Sequence, residues 1–170
     1  STVSAISGDG STLVGSSKIG WTAYPFIWRQ NAAGGYDTTR VDSPIVDMNM
    51  AKISVNGKHI SGNGPFGFNG QSAYMMTEID GVDTLMQMAG LPGLLGGPGV
   101  TAIANDGTAF GLFQEAGGPW GGPAHPWMWH PEGGAKDVAY ALESLGMEIP
   151  TGEQAPFDQG QVISADSTGK

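Results

Sequence analysis

One short pattern occurs four times along the chain and constrains the fold more than any other feature of the sequence. Each copy has an isoleucine followed three residues later by Asp or Asn, and in the first three copies a glycine comes next. The copies are VSAISGDGSTLVG from Val3, MAKISVNGKHISG from Met50, VTAIANDGTAFG from Val100 and the truncated QVISADSTGK from Gln161. Such recurrence indicates a repeat protein, in which small supersecondary units stack on one another.

The spacing of the copies divides the chain into repeats of a single domain, residues 1–170. Repeat 1 spans about residues 3–49, repeat 2 about 50–99, repeat 3 about 100–160, and a truncated repeat 4 covers 161–170. A β-propeller has roughly four to eight blades of about this length, so three units and a partial fourth do not close a ring. We expect like chains, or further repeats of the same protein, to associate through open strand edges.

The centre of each copy predicts a β-hairpin. A two-residue turn of type I′ needs positive φ at both central residues, which Asp, Asn and Gly tolerate best. We therefore assign a structural role in the turn to Asp9, Gly10, Asn56, Gly57, Asp106, Gly107 and Asp166. A further glycine closes the second arm in the first three copies, at Gly15, Gly62 and Gly111. Calcium binding is a poorer explanation of the repeated Asp and Asn, because no D-x-D-x-D-G loop is present.

An apolar strand is predicted after each hairpin, in AYPFIWR, SAYMMTE and HPWMWHP. Residues on both faces of these strands are apolar, as expected when a sheet is covered on both sides by stacked neighbours. The expected core aromatic residues are Phe26, Trp28, Tyr74, Trp127 and Trp129.

The segment that closes each repeat varies. VDTLMQMAG and KDVAYALESLG have apolar residues at helical spacing and end at a glycine, which predicts short helices. The first repeat has YDTTRVDSPIVDMN instead, which predicts an irregular segment or an extra strand. The predicted fold is therefore mainly β: repeated antiparallel blades of three to four strands in a β-propeller-like array, with short helices in the links.

AISGDGSTLVG followed by PFIWR resembles the HAF-type extracellular repeat of bacterial secreted and autotransporter-like surface proteins. The second copy departs most from that pattern, with Val55-Asn56 at the turn and Tyr74-Met75-Met76 in the third strand. The resemblance implies a β-propeller-like array and an extracellular or bacterial cell-surface location. It implies no catalytic residues.

Charge and composition restrict the partners. The formal net charge is -9, so the surface should repel phosphate backbones and anionic membranes, and we expect neither nucleic-acid binding nor direct membrane insertion. The absence of cysteine excludes disulfides and thiolate sites.

Few residues suggest a chemical site. His125 and His130 flank PWMW, but positions five apart on a strand face opposite sides, so we expect no metal site and no cofactor. GNGPFG, at 62–67, has dinucleotide-like glycines without a following helix. No G-x-S-x-G serine elbow is present, so a hydrolase would need an unrecognised site.

The sequence leaves two non-catalytic functions open. The first is an extracellular structural or adhesive surface module that self-assembles, because repetition builds a broad surface. The alternative is a carbohydrate-binding propeller whose loop aromatics Trp21 and Trp120, with His125, contact a polysaccharide.

Overall fold

A computed structural model describes residues 1–20, 22–41, 49–63, 73–91, 93, 96–115 and 124–138. In these ranges the chain forms twelve β-strands. They are β1 (Thr2–Ile6), β2 (Thr12–Ile19), β3 (Thr22–Gln30), β4 (Tyr36–Arg40), β5 (Asn49–Ile53), β6 (His59–Asn63), β7 (Ala73–Ile79), β8 (Val82–Met88), β9 (Gly96–Ile103), β10 (Ala109–Glu115), β11 (Ala124–His130) and β12 (Gly134–Asp137).

The strands form three antiparallel sheets, each made of four strands that are consecutive in sequence. The first sheet is β1–β4, the second is β5–β8 and the third is β9–β12. This confirms the prediction of a mainly β fold with repeated antiparallel blades. Within the described ranges the three sheets do not close into a ring.

All three sheets share one register. The isoleucine of the repeat pairs with the first apolar residue of the next strand, which pairs in turn with the third strand. The equivalent rows are Ile6, Leu13 and Trp28; Ile53, Ile60 and Met76; and Ile103, Ala109 and Trp129. Directly paired residues lie on one face of a sheet. We call the face that carries this row the leading face, and the opposite face the trailing face.

The sheets stack in chain order through two apolar layers. The first layer joins Val14 and Ile27 on the trailing face of the first sheet to Ile60 and Met76 on the leading face of the second. The second layer joins the second and third sheets, and its buried residues are Ala73, Met75, Met88, Leu91, Val100, Ile103, Ala109, Phe113, Trp127 and Trp129. The core therefore lies between the sheets, and each internal interface joins a trailing face to a leading face.

The helix predicted in VDTLMQMAG is wrong, because this segment forms β8. Leu85 packs against the layer shared with the first sheet, and Met86 packs against the layer shared with the third. Because both faces of this strand contact apolar neighbours, its apolar residues are adjacent in sequence, and their spacing resembles that of a helix. The hairpin before β8 has the two-residue turn Asp80-Gly81, with positive φ at both residues.

The other two closing segments begin as strands. Tyr36–Arg40 is the extra strand that was one of two predictions for the first repeat. In the third repeat the helix predicted from Lys136 is wrong at its start, because Lys136 and Asp137 belong to β12 and pair with β11. The remainder of that prediction, residues 139–146, lies outside the described residues.

The glycine that closes the second arm lies opposite a β-bulge. In the first sheet the register shifts between Val3 and Ala5, and a Cβ on Gly15 would overlap the carbonyl oxygen of Thr2. In the third sheet a Cβ on Gly111 would overlap the carbonyl oxygen of Gly99 in the same way. The repeated glycine is thus required where two backbones approach closely.

Candidate interaction surface

The repeated turns do not have the two-residue type I′ geometry predicted from Asp-Gly. Five or six residues lie between the last paired residues of each hairpin, and only the glycine of the repeated pair has positive φ. In the first turn the Gly10 amide donates to the carbonyl of Ser7, and the Ser7 amide donates to the carbonyl of Thr12. The wider loop needs a hydrogen-bond acceptor inside the turn, and the carboxylate of Asp9 is that acceptor.

The side chain of Asp9 organises this loop. Its Oδ1 accepts hydrogen bonds from the Ser11 amide at 2.9 Å and from the Ser7 hydroxyl at 2.7 Å. These bonds, with the Ser11 amide the largest cause, lower the pKa of Asp9 from 3.8 to about 2. The Ser7 hydroxyl in turn accepts from the Thr12 amide at 3.0 Å.

The second and third turns repeat these contacts. Asn56 accepts from the Lys58 amide and the Ser54 hydroxyl, and Asp106 accepts from the Thr108 amide. Burial raises the pKa of Asp106, but the hydrogen bonds from Thr108 and the nearby His130 together lower it by more, so the net shift is downward. Sequence reasoning missed Ser7 and Ser54. Their signal was a serine directly after the repeat isoleucine, which also occurs at Ser164.

The three turns, residues 7–12, 54–59 and 104–108, form a continuous row across the sheets, which we call the turn row. The Gly8 amide donates to the carbonyl of Val55 at 2.8 Å. Between the second and third turns, the Asn56 amide donates to Asn105 Oδ1 at 2.8 Å, and Asn56 Nδ2 donates to the Asn105 carbonyl. Polar contacts therefore fix the positions of successive sheets at the end where the turns lie.

His59 adds a contact between the second and third turns of the turn row. Its Nε2 lies 3.0 Å from the carbonyl oxygen of Asn105, and its Nδ1 lies 3.1 Å from the hydroxyl oxygen of Thr77. Burial lowers its pKa below 6.5, against the opposing effects of the Asn105 carbonyl and the Asp106 carboxylate. The neutral ring, with Nε2 as donor, fits these partners.

The leading face of the first sheet is an exposed apolar surface. It carries Val3 and Ile6, which are 53% and 57% exposed, beside half-buried Leu13, Phe26 and Trp28. The rings of Phe26 and Trp28 stack with centroids 6.0 Å apart. The second sheet packs against the opposite face, which holds Val14 and Ile27.

The trailing face of the third sheet is the corresponding surface at the other end of the row of sheets. Phe110 pairs with Met128, and both are half-buried, as is Leu112. The second sheet packs against the opposite face of this sheet, where Trp127 and Trp129 are 0% and 5% exposed. The stack of three described sheets therefore has a leading face at one end and a trailing face at the other.

The remaining expected site residues fall in different places. Tyr74 is half-buried and packs between the first two sheets. His125 is half-buried, with Nδ1 3.8 Å from a carboxylate oxygen of Asp137, a neighbour that sequence spacing did not reveal. Trp21, Trp120 and Asp166 lie outside the described residues.

No group of three His, Asp or Glu side chains in the described ranges is placed to hold a metal ion. Where the structure describes the chain, it contains no helix long and apolar enough to span a membrane. No family model, curated protein or solved structure matches the sequence or the fold.

Proposed function

We propose that this chain is a non-catalytic repeat module of the β-propeller type, which acts as a structural or adhesive protein outside the cell or on a bacterial cell surface. The observation that carries the proposal is the stacking of three equivalent sheets, each leading face lying on the preceding trailing face. Such an array extends by adding further sheets at either end. Its partners are therefore like chains or further repeats.

The setting outside the cell rests on the resemblance to the HAF-type repeat. The residues that carry it, AISGDGSTLVG and PFIWR, occupy the β1–β2 hairpin and β3 of one sheet. They are therefore parts of one blade, as a repeat motif requires. The net charge of -9 also indicates that neither nucleic acid nor an anionic membrane is a suitable partner, because both are negatively charged.

The roles of the repeated polar side chains support a non-catalytic module. Asp9 and Asn56 accept hydrogen bonds inside their own turns. Both ring nitrogens of His59 lie within hydrogen-bond distance of Thr77 and Asn105. These groups hold turns and neighbouring sheets in place, which is an architectural task.

Sedimentation velocity over a wide range of concentration tests self-association of the full chain. We expect the average mass to rise with concentration while circular dichroism shows an unchanged β fold. A fully folded chain that stays monomeric over the whole range would contradict the association with like chains.

Antibody labelling of intact cells of the source organism tests the location. Signal on unpermeabilised cells is expected. Signal that appears only after permeabilisation would contradict a surface or secreted role, whatever the oligomeric state.

A further inference from the structure

The repeat itself shows what a leading face contacts. In the third sheet the row isoleucine, Ile103, is 5% exposed because the second sheet covers it, and in the second sheet Ile53 packs against the first. The equivalent Ile6 of the first sheet is 57% exposed. The third-strand position of the row shows the same difference. Met76 and Trp129 of the second and third sheets are 3% and 5% exposed, whereas the equivalent Trp28 of the first sheet is half-buried.

Both internal interfaces join a trailing face to a leading face, so the surface that fits the open leading face is another trailing face of this repeat. The described chain has one such surface, formed by Phe110, Leu112 and Met128 on the third sheet. No described sheet packs on either of these two faces, and together they are of the two kinds that meet in each contact inside the chain.

We propose that a second copy of this chain docks the trailing face of its third sheet on the leading face of the first sheet, in a head-to-tail contact. The contact extends the established interfaces by one step and rests on the proposed function. Two copies related in this way present a second, identical pair of faces to further copies. The turn row then continues from the Asn105-Asp106 turn of one copy to the Gly8-Asp9 turn of the other.

A complementation experiment with the full chain tests this contact. Ile6→Glu places a charge on the leading face at an exposed position, and Met128→Glu places one on the trailing face at a half-buried position. Val82→Glu is the matched control, because Val82 is 65% exposed but lies on the second sheet, which has neighbours on both faces. Circular dichroism and thermal unfolding check that each variant folds, and Leu112→Glu replaces Met128→Glu if that variant does not.

Sedimentation velocity then gives the dissociation constants. We expect each face variant to raise the constant at least about tenfold, which corresponds to about 1.4 kcal/mol. Val82→Glu should associate like the wild type. An equimolar mixture of Ile6→Glu and Met128→Glu should recover a dimer, because the first variant keeps an intact trailing face and the second keeps an intact leading face.

Other outcomes overturn the proposal in distinguishable ways. If only Ile6→Glu weakens association and the mixture recovers nothing, two leading faces meet each other. If both variants associate like the wild type, the contact lies elsewhere, and the proposed function still stands. A wild type that stays monomeric over the whole concentration range overturns the head-to-tail contact, and it also contradicts the association with like chains.

Discussion

Arg29 in β3 holds Asp83 in β8 through two parallel hydrogen bonds, from Nη1 to Oδ2 at 3.0 Å and from Nη2 to Oδ1 at 2.6 Å. The pair joins the first sheet to the second, and the residues are 54 positions apart in sequence. Both side chains are about one-third exposed, at 32% and 27%. The contact is bidentate, a geometry that a lysine cannot reproduce.

Arg29→Lys should therefore destabilise the chain almost as much as Arg29→Ala. The expected loss of unfolding free energy is about 0.5–1 kcal/mol, because solvent screens a partly exposed pair. Urea unfolding of both variants, of Asp83→Ala and of the double variant gives the coupling energy between the two side chains. A coupling energy near zero would show that the pair contributes no net stability.

Gly111→Ala should destabilise the third sheet. The new Cβ would overlap the carbonyl oxygen of Gly99, and moving two paired backbones apart costs about 1–3 kcal/mol. Gly99→Ala is the control in the facing strand, since its Cβ would lie 3.7 Å from the nearest atom, the carbonyl oxygen of Leu112. Urea unfolding should separate the two, and equal losses would show that the close approach at the bulge is not the cause.

The strands of each sheet could be predicted because local patterns specify them. The first three hairpin copies and the apolar segments around Trp28, Met76 and Trp129 form the expected strands, whereas the fourth copy lies outside the described residues. The fourth strand was harder, because its apolar spacing depends on which sheets lie above and below it. Leu85 and Met86 are adjacent and face different sheets, so only the stacking explains them.

The geometry of the turns also could not be predicted from the local sequence pattern. Asp9-Gly10 and Asp80-Gly81 are both Asp-Gly pairs between strands, yet only Asp80 has positive φ. The difference follows from the residues around them, since Ser7 and Thr12 form a wider loop that hydrogen-bonds to Asp9. A dipeptide alone does not contain that information. The contacts between turns, such as Asn56 with Asn105, arise only when the sheets stack.

Asp9→Asn should preserve the first turn, whereas Asp9→Ala should lower the urea midpoint. Asn keeps an oxygen acceptor for the Ser11 amide and the Ser7 hydroxyl, as Asn56 does in the second turn. The folded-state pKa of Asp9, about 2, lies below the ordinary 3.8, so the wild type holds this stability above pH 3.8 and loses it as the pH falls toward 2.

The acid unfolding of Asp9→Asn provides the check. This variant should lose the part of the pH dependence between 3.8 and about 2 that the carboxylate supplies, with the midpoint at neutral pH almost unchanged. A midpoint at neutral pH as low as that of Asp9→Ala would show that the charge, and not the acceptor, stabilises the turn.

His59 should make the contact between the second and third sheets sensitive to mild acid. Its pKa is lowered by burial, so the unfolded chain binds the proton more tightly than the folded chain does. The stability it supports is complete above the ordinary pKa of 6.5 and declines as the pH falls below it. Lys58 and His130 also disfavour the charged ring, while Asp106 and the Asn105 carbonyl favour it.

His59→Thr removes this titration and keeps a residue that the loop accommodates, since Thr12 occupies the equivalent position in the first turn. Urea unfolding between pH 7.5 and 5 should show a steeper loss of stability for the wild type than for His59→Thr, because the variant has no imidazole to protonate. At pH 7.5 the variant should be less stable, since it loses the contacts with Asn105 and Thr77. Parallel pH profiles would place the acid sensitivity in another group.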